Sequence, residues 1–158
     1  MKKLYYFLLL ALPLMMATSC DDDDNDLPDV DISLEISGGV NVDGTIYVVR
    51  GETLEITGIT VTNRDPNKEA VITSATYYWD YREIGVSVTA PYGGTIATTE
   101  NTALGDHLLQ IECPLFAVDK SPATAVMAYN VVVVESADDI PSGDTNTSFT
   151  VRPAIKQV

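Results

Sequence analysis

The residues best suited to ligand chemistry are the aromatic side chains of the segment YYWDY, which covers residues 77–81. Aromatic rings can stack on sugars because the CH faces of a sugar ring are apolar. Alternation along a strand turns Tyr77 and Trp79 towards a core, and we expect Trp79 to pack there. Tyr78 and Tyr81 are then the exposed pair. They form the candidate ligand platform of this sequence.

The other residues that could do chemistry do not form a catalytic set. His107 is the single histidine, so it cannot build a multi-histidine metal site and has no evident triad partners. Its expected role is a hydrogen bond to nearby backbone that fixes a turn. Asp138, Asp139 and Asp144 could bind calcium, but their spacing matches no defined calcium loop. We therefore predict no catalytic, cofactor-binding or metal site, and a protein that is not an enzyme.

The chain is strongly acidic, with 23 Asp and Glu residues, nine Lys and Arg residues and a formal net charge of −14. Seven of the acids lie between Asp21 and Asp31, and 16 acids and seven bases follow from Ile32 onward. The sequence shows no basic patch or stripe, which argues against nucleic acid as a partner. The charge favours solubility and predicts repulsion from an anionic membrane surface.

Residues 1–19 have the three parts of a secretory signal. Lys2 and Lys3 give a positively charged start, residues 4–16 are apolar, and small residues precede Cys20. The apolar run is shorter than the roughly 20 residues that a transmembrane helix needs. Cys20 directly follows the predicted signal, and we do not expect it to form a disulfide with Cys113. We therefore expect Cys113 to be a small, buried, apolar residue.

The sequence Ala17-Thr18-Ser19-Cys20 resembles the lipobox of bacterial lipoproteins. The resemblance implies that residues 1–19 are removed as a lipoprotein signal peptide and that Cys20 is the lipid attachment site. Its thiol would carry a diacylglyceryl group, and its new amino terminus would carry an acyl chain such as palmitate. Two or three chains anchor stably, at about 0.8 kcal/mol per buried CH₂. The alternative is an ordinary cleaved signal with a coincidental cysteine.

The acidic run CDDDDND (residues 20–26) resembles the export signal of surface lipoproteins in the Bacteroidota. This resemblance implies an outer-membrane lipoprotein that faces the cell exterior. The alternative is an acidic spacer on a lipoprotein that faces the periplasm. Residues 20–29 combine like charge with no apolar periodicity, so we expect a disordered, extended tether.

Residues 30–158 show the period of two that is typical of β-strands. Val30, Ile32, Leu34 and Ile36 alternate with polar residues, and a hairpin turn is predicted at Asp43-Gly44. The other predicted strands are Thr45 to Val49, Glu52 to Thr62, Val71 to Trp79, Ile84 to Thr89, His107 to Cys113, Ala125 to Val134 and Thr147 to Val151. We expect a bulge at Gly58, Val71 facing inward, and the odd-numbered residues from His107 to Cys113 facing inward. We also expect Pro114 to stop or bulge its strand, and both faces of the strand from Ala125 to Val134 to be covered.

This pattern predicts an all-β, antiparallel sandwich of about 7–9 strands. Three segments are similar to the bacterial immunoglobulin-like domains of extracellular proteins: ITSATYYWDYREIG (Ile72 to Gly85), Ala90-Pro91-Tyr92, and LGDHLLQI (Leu104 to Ile111). The resemblance implies an immunoglobulin-like fold. Its motifs are structural and imply no active site.

Location and fold together point to a binding or adhesion module for a glycan or a protein. The alternative is a structural or assembly subunit, or a spacer, of a larger cell-envelope complex. In that case exposed edge strands could pair with a partner by β-augmentation. The expected partners are the membrane, through the lipid anchor, and a glycan or an envelope protein.

Overall fold

The computed structural model describes residues 27–158, and these form two β-sheets packed face to face around one apolar core. The predicted signal peptide, Cys20 and the first part of the tether lie outside the described residues. Within residues 27–158, no helix is long and apolar enough to cross a membrane. The strands are β1 (Val30–Ser37), β2 (Val40–Val42), β3 (Thr45–Val49), β4 (Thr53–Asn63), β5 (Ala70–Ile72), β6 (Ala75–Trp79), β7 (Arg82–Ser87), β8 (Gly94–Ala97), β9 (Gly105–Ala117), β10 (Ala123–Val134), β11 (Thr145–Asn146), β12 (Ser148–Val151) and β13 (Ala154–Gln157).

The smaller sheet has the order β12-β1-β4-β8, and the larger sheet has the order β11-β2-β3-β10-β9-β6-β7. In the larger sheet β13 also pairs with β10, and β5 also pairs with β9. Neighbouring described strands run antiparallel, apart from β3 and β10, which run parallel. The predicted fold class, an all-β sandwich of immunoglobulin-like type, is confirmed, and short pieces such as β2, β5 and β11 add to the strand count.

Alternation along β1 builds the core side of the smaller sheet. Val30, Ile32, Leu34 and Ile36 are all at most 4% exposed, as their period of two predicts. The predicted bulge in β4 is also present. Glu35 pairs with Gly58 while Ile36 pairs with Ile56, so β4 holds one additional residue at that point.

The predicted turn at Asp43-Gly44 joins β2 to β3. Both residues have positive φ, at 50° and 89°. Positive φ at both central residues is what a two-residue type I′ hairpin turn requires. The local sequence therefore determines this connection.

The long strands β9 and β10 form the centre of the larger sheet. Leu109, Ile111 and Cys113 are fully buried, as predicted for the odd-numbered residues of β9. On β10, however, Ala128 and Asn130 are exposed, so the prediction that both faces of this strand are covered is wrong. The outer face of the larger sheet has no covering layer within the described residues, although β10 is apolar on both parities.

Pro114 neither stops β9, which continues to Ala117, nor shifts its register with β10, so that prediction is wrong. The carbonyl oxygen of Pro114 accepts a hydrogen bond from the Thr73 N–H at 3.4 Å. Since N–H and C=O of one strand residue point to the same side, the missing N–H of Pro114 faces the same neighbour. The residues between β5 and β6, Thr73 and Ser74, lie opposite this position, and the pairing with β9 is interrupted there.

This interruption shifts the alternation between β5 and β6. The predicted continuous strand from Val71 to Trp79 is divided at Thr73 and Ser74, and Ile72 is buried in place of Val71. Val71 is 53% exposed, so its predicted inward orientation is wrong. Tyr77 is buried as predicted, at 2% exposure.

We call the end of the sandwich where β1 begins the proximal pole. There Val30 pairs with Asn63, and the Val118 N–H donates to the Glu69 carbonyl at 3.2 Å. We call the opposite end, where β9 begins, the distal pole; there the Asp80 N–H donates to the Leu108 carbonyl at 2.9 Å. The 13 residues of β9 span about 40 Å between the poles.

Candidate functional site

The two tyrosines of the predicted platform lie in different surroundings. Tyr78 is half-buried on the outer face of the larger sheet, where it pairs with Gln110 on one side and Glu83 on the other. Partial burial raises the pKa of its phenol, and the carboxylates of Glu112 and Glu83 add to the rise. Tyr81 projects from the β6–β7 turn and is 83% exposed. Within residues 27–158 the two rings form no stacked or edge-on pair with each other.

Tyr81 occupies a backbone position that suits glycine. Asp80 and Tyr81 have φ values of 47° and 66°, and they are the central residues of the β6–β7 turn. Aspartate tolerates the left-handed region because its short side chain can bond locally, whereas other L-residues pay about 1 kcal/mol or more there. The Tyr81 ring is too exposed to recover that energy by burial. Fold stability therefore does not account for a tyrosine here.

Asp80, by contrast, has a structural role at the distal pole. One of its carboxylate oxygens accepts the Leu108 N–H at 2.9 Å, and the other lies 2.7 Å from Nδ1 of His107. The Nε2 atom of His107 lies 2.9 Å from the carbonyl oxygen of Ala103. Both partners of the imidazole are acceptors, so this geometry favours the imidazolium form, in which both ring nitrogens donate. The predicted backbone hydrogen bond of His107 is present, and it joins the 98–104 loop to the β6–β7 turn.

Asp80 and His107 each shift the pKa of the other. Burial lowers the pKa of His107, but the Ala103 carbonyl and the Asp80 carboxylate outweigh it, and the net pKa lies above the ordinary value. Burial raises the pKa of Asp80, but the Leu108 N–H and His107 outweigh it, and the net pKa lies below the ordinary value. The arrangement stabilises the ion pair and is structural in character.

Trp79 stacks on the other side of His107. The ring centroids are 4.8 Å apart and the planes differ by 20°. Trp79 packs against the core, as predicted, but it is half-buried because its strand position lies at the distal edge of the core. It is a support for His107 and not a free ligand surface.

The Ala90-Pro91-Tyr92 segment ties the two sheets together. The Tyr92 hydroxyl donates to the Ile72 carbonyl at 2.9 Å, and the Tyr77 hydroxyl donates to the Tyr92 carbonyl. The Ile59 N–H donates to the Pro91 carbonyl at 3.0 Å. Since Ile59 belongs to the smaller sheet and Tyr77 to the larger one, this motif is structural, as its resemblance implied.

The sequence did not reveal how exposed β7 is. Ile84, Val86 and the following Val88 are 42%, 54% and 72% exposed, although their alternation is typical of a half-buried strand. The β7 strand is the outer strand of the larger sheet, and β8 is the outer strand of the smaller sheet on the same side. Tyr77, Ile84, Gly93 and Gly94 line a cleft of about 260 Å³ between these two edges. No local signal distinguishes an edge strand from a central one in this segment.

The remaining chemical groups have structural roles in the described part of the chain. Cys113 is a fully buried free thiol, as predicted, and burial raises its pKa to about 12. Asp139 accepts hydrogen bonds from the backbone and hydroxyl of Ser136, both at 3.0 Å, and so caps a short 3₁₀ turn (Ala137–Asp139). Residues 27–158 contain no group of three or more His, Cys, Asp or Glu side chains placed to hold a metal ion.

No family model matches the chain, and no curated protein matches it. Among solved structures, the fibronectin(III)-like modules of Clostridium thermocellum CbhA are similar at 22% identity, with a TM-score of 0.37. The similarity covers 60% of this chain and 94% of that chain.

Proposed function

We propose that this chain is a non-enzymatic lipoprotein of the outer membrane that faces the cell exterior and acts as a binding or adhesion module for a glycan or a protein. Cys20 carries the lipid, residues 20–29 form the tether, and the sandwich presents its distal pole outward. Tyr81, at the tip of the β6–β7 turn, is the central contact residue. Tyr78 adds a second contact on the neighbouring sheet face.

The observation that carries the binding role is the position of Tyr81. A tyrosine in the left-handed region is unfavourable, and this one is 83% exposed at the distal pole. Backbone strain that fold stability does not explain is typical of functional positions. An exposed aromatic ring on a rigid turn can stack on a sugar or fill a pocket on a protein partner.

The distribution of charge supports the proposed orientation. Arg64, Lys68, Lys120, Arg152 and Lys156, five of the seven bases that follow Ile32, lie at the proximal pole, next to the start of β1. Ion pairs such as Arg64–Asp31 at 3.1 Å and Arg152–Asp29 at 2.9 Å balance charge there. From Ile32 onward the acidic excess therefore lies towards the distal pole, which an anionic membrane repels.

Replacing Cys20 by alanine is expected to release the protein from membranes, because the acyl chains supply the anchoring energy. Replacing Asp21 to Asp24 by alanine is expected to leave the protein membrane-bound but to reduce its digestion by protease added to whole cells. Membrane fractionation and whole-cell proteolysis measure the two results. Membrane association of the Cys20→Ala variant would contradict the anchor, and unchanged digestion of the alanine-run variant would contradict surface export.

Replacing Tyr81 by glycine is expected to stabilise the domain by about 1 kcal/mol, since glycine adopts a positive φ freely. The same change is expected to weaken ligand binding, most strongly together with Tyr78→Ala. Retardation in affinity gels that contain each of a panel of polysaccharides measures binding, and urea denaturation measures stability. A stabilised Tyr81→Gly variant with undiminished retardation would remove Tyr81 from the binding surface. No retardation of the wild type by any polysaccharide would favour a protein partner.

The exposed edge of β7 favours the alternative role, a subunit of a larger envelope complex. A sheet edge with unpaired backbone groups can accept a strand from another polypeptide. This surface differs from the Tyr78 and Tyr81 surface, so the two roles can be tested separately.

A further inference from the structure

Within residues 27–158, β7 is the least protected edge of the sandwich. The outer strands β8 and β12 have four residues each and β11 has two, whereas β7 has six. Short strands and charged residues normally block the pairing of an edge with another chain. On β7 the charges Arg82 and Glu83 are confined to the beginning, and the segment from Gly85 to Val88 carries none.

The cleft beside β7 can receive the inward side chains of an added strand. Gly85, Gly93 and Gly94 lie along it, so no side chain of these residues blocks an approaching backbone. The Tyr77 ring forms part of its wall, and a Cβ on Gly94 would lie only 2.6 Å from that ring. Ile84, the additional residue of the β7 bulge, supplies an exposed apolar side chain beside the opening.

We propose that β7 is a docking edge for an extended segment of a partner polypeptide in which apolar and basic residues alternate. The unpaired backbone of β7 requires a strand as its partner. Tyr77 and Ile84 line the cleft and favour apolar side chains on the inner face of the added strand. Glu83 lies on the outer face of β7, opposite Tyr78, and the whole chain carries −14, so basic side chains on the outer face of the added strand complement this surface.

Other occupants fit this edge less well. A second copy of the chain carries the same charge of −14. Pairing through one six-residue strand also buries much less than the roughly 1,600 Å² of a standard stable interface. The acidic run in residues 20–26 of the same chain lacks the alternating apolar residues that the cleft needs.

The test uses the full-length protein in detergent micelles and synthetic peptides of about eight residues. One peptide alternates valine with lysine, and its control alternates valine with glutamate. We expect the lysine peptide to bind and to shift the NMR amide signals of β7, with affinity that falls as salt increases. We expect the glutamate peptide to bind at least about tenfold more weakly.

Matched variants locate the binding edge. Val86→Lys places a charge on β7 and is expected to weaken lysine-peptide binding by about tenfold or more. Val71→Lys makes the same change at a valine that is 53% exposed, against 54% for Val86, and is expected to leave binding unchanged. The proposal is overturned if the lysine peptide does not bind, if Val86→Lys binds it normally, or if light scattering shows a dimer that Val86→Lys dissociates.

This inference rests on the alternative role, assembly with a partner polypeptide, and does not require the lipid anchor. The peptide measurements take place in micelles, so they give the same result whether or not Cys20 is acylated in cells. Failure of peptide binding would leave the localisation results and the Tyr81 results unchanged. A failed localisation test would likewise leave the β7 edge intact.

Discussion

Replacing Gly38 by alanine is expected to lower the free energy of unfolding by about 4 kcal/mol. Gly38 has φ of +70° and lies where the chain leaves β1 in the smaller sheet for β2 in the larger one. An added Cβ would lie 1.9 Å from the carbonyl oxygen of Thr53 on β4. Because that obstacle is backbone, β1 and β4 must separate locally, and the alanine also bears the cost of a left-handed conformation.

The matched control is Gly44→Ala. Gly44 has φ of +89°, but no atom lies within 4 Å of an added Cβ. This variant should therefore lose only about 1 kcal/mol, the cost of the left-handed backbone. Urea denaturation of residues 27–158, followed by fluorescence of the single Trp79, measures both. Equal losses in the two variants would show that the close approach of Gly38 to Thr53 contributes nothing to stability.

Replacing Asp80 by alanine is expected to cost about 3 kcal/mol of unfolding free energy. The change leaves the Leu108 N–H and Nδ1 of the nearly buried His107 without their acceptor, and hydrogen bonds to a charged group contribute about 2 kcal/mol. Alanine also tolerates the φ of 47° less well than aspartate does. Asp80→Asn keeps the backbone preference and one acceptor oxygen, so we expect it to lose only about 1 kcal/mol.

The same pair makes stability depend on pH. The pKa of His107 is higher in the folded protein than its ordinary value. Its stabilising contribution is therefore complete below about pH 6.5 and is lost as pH rises through the folded pKa. The pKa of Asp80 is lower than its ordinary value, so its contribution is present above about pH 4 and is lost as pH falls further.

An NMR titration can follow His107 directly because it is the only histidine in the chain. The wild type should lose stability as pH rises above about 6.5, the ordinary pKa of histidine, and the Asp80→Asn variant should lose less over the same rise. A folded-state pKa of His107 at or below its value in unfolded peptide would contradict the ion pair. A double-mutant cycle between Asp80 and His107 should give a coupling of about 1 kcal/mol, and independent effects would contradict direct contact.

Much of the fold could be predicted from local pattern. The alternation of Val30, Ile32, Leu34 and Ile36 determines which face of β1 is buried, because successive side chains of a strand point to opposite faces. The Asp43-Gly44 turn follows from residues that adopt positive φ easily. The shift of parity at Gly58 indicates the bulge in β4. In each case the decisive residues are neighbours in the sequence.

Features that depend on distant segments of the chain could not be predicted from the local pattern. Alternation shows that a strand has two faces, but it does not show whether a second layer covers the outer one. The outer side chains of β10 are therefore partly exposed, although their apolar pattern indicated cover. Val71 lost its inward position because Pro114, more than forty residues away in the chain, interrupts the neighbouring ladder. The exposure of Ile84 and Val86 likewise depends on which strands meet at the sheet edge.

For the candidate functional residues, too, part of the result follows from the local sequence and part from the tertiary structure. The amino-acid sequence by itself determined the all-β class, the resemblance to a surface lipoprotein around Cys20, and the two tyrosines that could contact a ligand. Only the tertiary structure separated their roles: it left Tyr81 exposed in a strained turn, joined Asp80 to His107 across 27 residues, and left β7 without an outer partner among residues 27–158. Local preferences fix strands and turns, whereas burial, ion pairing and free edges depend on which distant segments the fold brings together.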